Sequence, residues 1–195
     1  TLSLYRTNTE NNAYLIEVSL DDYSELFNGW DASPVRRKDL EPELLDYLEE
    51  AGTEIPIKQS IEMVFYLPKD KRDAEKDERS ITTIQNNFKV VNQMIQKKIE
   101  RNYRRLLVYV TLSLIFLVAA YLLRNVTTLS LLTNIMIEGF FIGGWFLLWE
   151  AFSLFFFDTH EYKIRQKIFK RFIDSKIIFK ETGESGRRED LFLSV

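Results

Sequence analysis

The chain has 195 residues, 28% of them charged and 46% apolar, and a formal net charge of −3, enough for one small domain and something more. With no cysteine and a single histidine, His160, it excludes disulfide frameworks, thiolate metal sites and most nucleophile–base sets. The charge is uneven: residues 1–96 carry 11 Lys/Arg against 19 Asp/Glu, a net of −8, so this part is repelled by phosphate backbones and nucleic acid is not an expected partner.

Thr1–Arg6 and Ala13–Leu20 read as two strands joined by the polar turn Thr7–Asn12. In the second, Tyr14, Ile16, Val18 and Leu20 alternate with Glu17 and Ser19, giving one apolar face. Residues 1–12 are polar and predict no cleavable leader. Asp21-Asp22 breaks the strand and starts a short helix, Tyr23–Phe27, and Asn28-Gly29 is a turn signal. Asp31-Ala32-Ser33-Pro34 suits a side-chain-capped turn. A helix beginning at Asp39 or Glu41 accepts Pro42 in its first turn, turns Leu44, Leu45 and Leu48 inward and ends at Gly52. Ile57–Leu67 reads as a strand with Ile61, Met63, Phe65 and Leu67 on one face, Val64 breaking the alternation and Pro68 closing it. The charged run Lys69–Arg79 is either a solvated helix start or a link.

From Ile81 the period becomes helical. Ile81, Ile84, Phe88, Val91, Ile95, Ile99 and Tyr103 recur at spacings of three and four, an apolar stripe on a polar helix. No breaker separates this stripe from the apolar run Leu106–Leu123, so one helix is expected from near Ser80 to Leu123. A second apolar run spans about Leu131–Phe157. Each run has the roughly 20 residues that a bilayer core requires, and the seven residues Arg124–Ser130 between them allow only a tight antiparallel turn. The pattern predicts a transmembrane hairpin. Lys97, Lys98, Arg101, Arg104 and Arg105 precede the first span, and Lys163, Arg165, Lys167, Lys170 and Arg171 follow the second, while the loop holds only Arg124. Lys and Arg stay on the cytoplasmic side, so both termini are expected in the cytoplasm. Asn125-Val126-Thr127 fits the glycosylation pattern but reads as a polar turn against the membrane. Beyond the hairpin, Ile164, Ile168, Phe169, Phe172 and Ile173 form another stripe, expected either to pack on the first as a stalk or to dock separately on the small domain. Lys176–Lys180 is β-like, Glu181–Asp190 a polar loop, and Leu191–Val195 a candidate partner strand.

The second span holds the candidate site. With about 100° per residue and Glu138 at zero, Gly139, Gly143, Glu150 and Ser153 fall between roughly 60° and 140°, opposite Phe141, Leu148 and Phe155. Gly139 and Gly143 form a GxxxG pair of the kind that lets helix backbones approach, so Gly139, Gly143 and Ser153 are expected oligomer contacts. Glu138 and Glu150 are ionisable groups inside an apolar span, and such groups turn towards protein or water. They either hold partner helices by hydrogen bonds or line an ion path. The first is favoured, because a two-helix hairpin cannot enclose a pore alone. Trp145, Trp149, Arg104, Arg105, Lys163 and Arg165 are the expected interface anchors. His160 reads as a surface residue.

Asp31-Ala32-Ser33-Pro34 after a strand and acidic segment, then Glu138-Gly139-Phe140-Phe141-Ile142-Gly143-Gly144-Trp145 with Trp149 four residues on, resembles a prokaryotic family of small, uncharacterised two-span membrane proteins. The resemblance covers most of the chain through short motifs. It implies the prokaryotic inner (cell) membrane and carries no activity with it. Similar proteins often continue after the second Trp with Arg-Pro, where this chain has Glu150-Ala151.

The expected architecture is an α+β membrane protein. Residues 1–80 form a cytoplasmic α+β domain, 81–104 an amphipathic stalk, and 105–123 and 131–157 two transmembrane helices around an extracytoplasmic loop, 124–130. Residues 158–195 add a helix and terminal strands that complete a small mixed sheet built from both chain ends. The expected function is that of a non-enzymatic, self-associating membrane adaptor. The bilayer and a second copy are its partners, and a cytoplasmic protein or a small-molecule signal binds its soluble part. The alternative is a pore-forming or membrane-perturbing effector. No cofactor is expected, since neither a Gly-rich phosphate loop nor a metal-ligand cluster is present.

Overall fold

The computed structural model describes residues 2–31, 38–126 and 130–182. Helices dominate it, and the three strands form one small sheet. The chain divides into two units, one made of residues up to Gln93 together with those from Lys167 on, the other Met94–Gln166.

In the first unit the strands β1 (Tyr14–Ser19), β2 (Ile61–Leu67) and β3 (Lys176–Glu181) lie in the order β1-β2-β3. Both pairings are parallel, with Ile16 opposite Met63 and Met63 opposite Ile177. The expected mixed sheet is therefore all-parallel among the described residues. Parallel neighbours cannot be joined by a hairpin and need a crossover. Helix α1 (Pro42–Glu54) lies in the first crossover; α2 (Ala74–Val126), α3 (Leu131–Ser153) and α4 (Thr159–Asp174) all lie in the second. β2 is buried along nearly its whole length. Val64 is thus the mark of a central strand covered on both faces, not an exception to alternation.

Three local expectations are corrected. Leu2–Leu4 is a 3₁₀ turn where a strand was expected, because Leu2 and Leu4 are exposed and have no sheet to bury them. Further on, Thr7 forms an antiparallel bridge to Tyr14, flanked by Leu15 N–H donating to the Arg6 carbonyl and Asn8 N–H to the Ala13 carbonyl, each at 2.8 Å. β2 starts at Ile61 instead of Ile57, since Pro56–Gln59 is a turn closed by Gln59 N–H on the Pro56 carbonyl at 2.9 Å. Gly52 does not end α1, which runs on to Glu54. Gly52 is instead a contact point, where an added Cβ would lie 2.6 Å from Phe172 Cζ and 2.7 Å from Ile168 Cγ2. The expected strand Leu191–Val195 lies outside the described residues, as do positions 32–37 of the Asp31-to-Pro34 turn and its basic sequel.

The core of this unit is aromatic. Phe65 stacks on Phe179 at 5.3 Å, and Phe88 of α2 meets Phe169 and Phe172 of α4 at 6.2 and 5.3 Å. Arg171 turns the other way: its guanidinium donates to the carbonyls of Gly52, Ile55 and Pro56, satisfying the orphan acceptors at the end of α1. Glu62, only 4% exposed on the central strand, is held by the loop before β1. Asn8 and Asn11 donate to its two oxygens at 2.9 and 2.7 Å, and Asn12 takes a left-handed φ of 56° to close that loop. Burial alone would raise the Glu62 pKa. The two amide donors and the nearby Lys176 and Lys180 outweigh it and hold the carboxyl below its ordinary value.

Gly52→Ala should destabilise the protein by about 1–3 kcal/mol in thermal unfolding, with partial recovery when Phe172→Leu opens the space. Because the folded pKa of Glu62 lies below its unfolded value, its contribution is complete above the ordinary carboxylate range and is lost as pH falls through the folded value. Glu62→Gln should therefore flatten the acid limb of the stability curve, as followed by denaturant unfolding between pH 3 and 7 (the range bracketing ordinary carboxylate values).

Candidate interaction site on the apolar hairpin

The second unit is built from the C-terminal part of α2 and from α3, which continues through a π turn, Leu154–Asp158, into α4. Thr159 Oγ1 donates to the Leu154 carbonyl at 2.8 Å, and the five-residue spacing keeps Thr159 buried where Asp158 is exposed. Ser130 caps α3 by accepting the Thr133 N–H at 3.3 Å. Asp73 does the same for α2 through the N–H of Glu75 at 2.9 Å.

α2 and α3 meet at Gly144. Ser113, fully buried, donates its hydroxyl to the Gly144 carbonyl at 2.7 Å. A Cβ at Gly144 would lie 2.8 Å from Leu117 Cγ and 3.3 Å from the Ser113 carbonyl. Phe116 and Phe140 pack at 5.4 Å, and Ala120 and Ala151 are buried. The small residues that seat one helix on the other are therefore Gly144, Ser113 and the two alanines, which the GxxxG reading passed over. A hydroxyl and a third glycine inside otherwise apolar runs were the available signal.

Gly139 has nothing within 4 Å of an added Cβ, and Gly143 has only Phe116 at 4.0 Å. Taking Glu138 as zero, Gly144 and Phe140 sit near 240° and 200°, and Gly139 and Gly143 near 100° and 140°, on one flank of the contact. The other flank carries a groove of about 510 Å³ lined by Leu117, Ala120, Tyr121 and Arg124 of α2 and by Ile137, Glu138, Phe141, Ile142 and Trp145 of α3. The structure thus places Glu138 and Trp145 together, with Arg124 as an additional member, and leaves Gly139 and Gly143 elsewhere. Glu150 and Ser153 are half-buried and Trp149 is 74% exposed. Arg104 and Arg105 are exposed; Lys163 Nζ lies 5.4 Å from the Tyr103 ring centre and Lys98 Nζ 5.6 Å from that of Tyr162; Arg165 is half-buried.

The first unit offers a polar cluster at the carboxyl ends of its strands. The Tyr23 hydroxyl donates to Asp77 and accepts the Asp73 N–H at 3.1 Å, and Arg72 Nε pairs with Asp77 at 3.2 Å. Burial, followed by the Asp77 hydrogen bond, pushes the Tyr23 phenol up to about 12. It stays protonated through the neutral range and fixes the start of α2. In the same unit Trp30 is 97% exposed in the turn after Asn28-Gly29, its backbone N–H donating to Asn28 Oδ1 at 2.9 Å. Among the described residues no group of three His, Cys, Asp or Glu is placed to hold a metal. No family model, curated protein or solved structure matches the chain.

Gly144→Val should lower hairpin stability by about 1–3 kcal/mol and Ser113→Ala by about 0.6–2 kcal/mol, whereas Gly139→Val should leave it within about 0.5 kcal/mol. Unfolding in mixed micelles with increasing denaturing detergent measures all three.

Proposed function

We propose that the chain is a non-enzymatic, two-pass membrane adaptor of the prokaryotic inner membrane. Its hairpin anchors it and self-associates, while its sheet-bearing unit, with both termini in the cytoplasm, binds a protein or small-molecule signal. The observation that carries this reading is an inversion of burial. Two helices are long and apolar enough to cross a membrane, yet only 11% and 17% of their most apolar windows are buried. The core helix of a soluble protein hides its apolar surface, whereas these helices display theirs, as a lipid solvent requires.

The sheet supports the topology. β2 and β3 precede and follow the hairpin and are hydrogen-bonded neighbours, so an even number of crossings must separate them. The basic flanks favour the cytoplasm as that shared side. Trp30 supports partner binding, because an exposed tryptophan is the residue type that anchors interfaces.

The protein should remain in the membrane pellet through alkaline carbonate and be released by detergent, and reporters fused to either tail should be active only in the cytoplasm. Release into the aqueous fraction without detergent would end the reading. Trp30→Ala should abolish partner retention without altering membrane extraction. Collapse of membrane potential on expression, prevented by Glu138→Gln, would favour a pore instead.

A further inference from the structure

We infer that the Arg124–Glu138 groove is the surface through which two copies of this chain pair, Arg124 of each copy meeting Glu138 of the other; this rests on the membrane reading above. Glu138 is exposed about two turns inside α3, in an otherwise apolar setting. An ionisable group at that depth is costly unless paired. Arg124 lies in the last turn of α2 and lines the same groove. Among the described residues, the ion pairs within 4 Å involve neither of them. The walls between them, Leu117, Ala120, Ile137 and Phe141, are apolar.

Symmetry selects the occupant. A two-fold contact sets a patch against itself, so the patch must be self-complementary. One cation and one anion on the same groove satisfy this twice over in a dimer. The opposite flank, with Gly139 and Gly143, carries only Glu150, near 120° on the same wheel, and a two-fold contact there would bring like charges together. The groove is also open enough, at about 510 Å³, to admit side chains from a facing copy.

The test uses the full chain in bilayers. As the chain has no cysteine, each engineered thiol is its only one. Ile142→Cys, on a residue 67% exposed in the groove, should give oxidative dimers, and Gly139→Cys should not. Differently tagged Arg124→Glu and Glu138→Arg chains should each lose self-association by about tenfold and recover it when co-expressed, one groove then being wholly acidic and the other wholly basic. Arg124→Gln/Glu138→Gln, which inserts without introducing a new charge, should show the same loss. Dimers through Gly139→Cys but not Ile142→Cys would overturn the proposal. So would undiminished association of the singly substituted variants, or recovery only when both swaps sit in one chain, which would place the pair within a single copy. Carbonate extraction of the same samples separates these failures from failure of the membrane reading: a protein that stays embedded yet does not pair refutes the groove alone.

Discussion

The parallel pairing of β2 with β3 is the constraint from which the rest follows. Parallel strands demand a connection that travels the length of the sheet and returns, and here that connection contains α2, α3 and α4 entire. The apolar hairpin is an insertion within a β-α-β crossover, not an appendage at one end of a domain. Its two ends must come back to adjacent strands, and the Phe88, Phe169 and Phe172 cluster joins α2 to α4 where the crossover re-enters the sheet-bearing unit. Arg171 and Gly52 add a second fixing, one by hydrogen bonds to the end of α1 and the other by leaving room for the Phe172 ring.

Much of this was legible in the residues. The two apolar runs, the unbroken character of α2 and the stripe through Ile84 and Phe88 follow from periodicity and length, signals that depend on a single helix and its surroundings. Lys176–Lys180 stood out as a strand because it is short, β-branched and aromatic. Parallel order was not legible, since it is decided by where the chain returns and leaves no local mark in β2 or β3. Nor was the role of Gly52: a glycine near a helix end signals termination as readily as close packing, and only the ring of a residue distant in sequence distinguishes the two. The N-terminal strand misled because alternating leucines mimic a half-buried face even where no sheet stands opposite.

The hairpin shows the same ambiguity at finer scale. GxxxG marks Gly139 and Gly143 by spacing, but spacing cannot tell a contact within the chain from one between chains. The structure assigns the intrachain contact to Gly144 and to Ser113, whose hydroxyl has satisfied its donor on a backbone carbonyl. This leaves two flanks of different chemistry, one small and acidic, the other apolar with both signs of charge. A lipid solvent gives no hydrophobic drive for helices to associate, so there small residues and polar groups are what would distinguish two such flanks.

The insertion of the hairpin into a crossover also sets an order of events during biosynthesis. β2 leaves the ribosome well before β3, and both long apolar runs are made in between. Until Lys176–Glu181 emerges, the most thoroughly buried strand of the protein has one bare edge, a template for adventitious strand addition. A polypeptide truncated anywhere within the hairpin would keep that edge bare, the condition that favours aggregation over a stable shortened product.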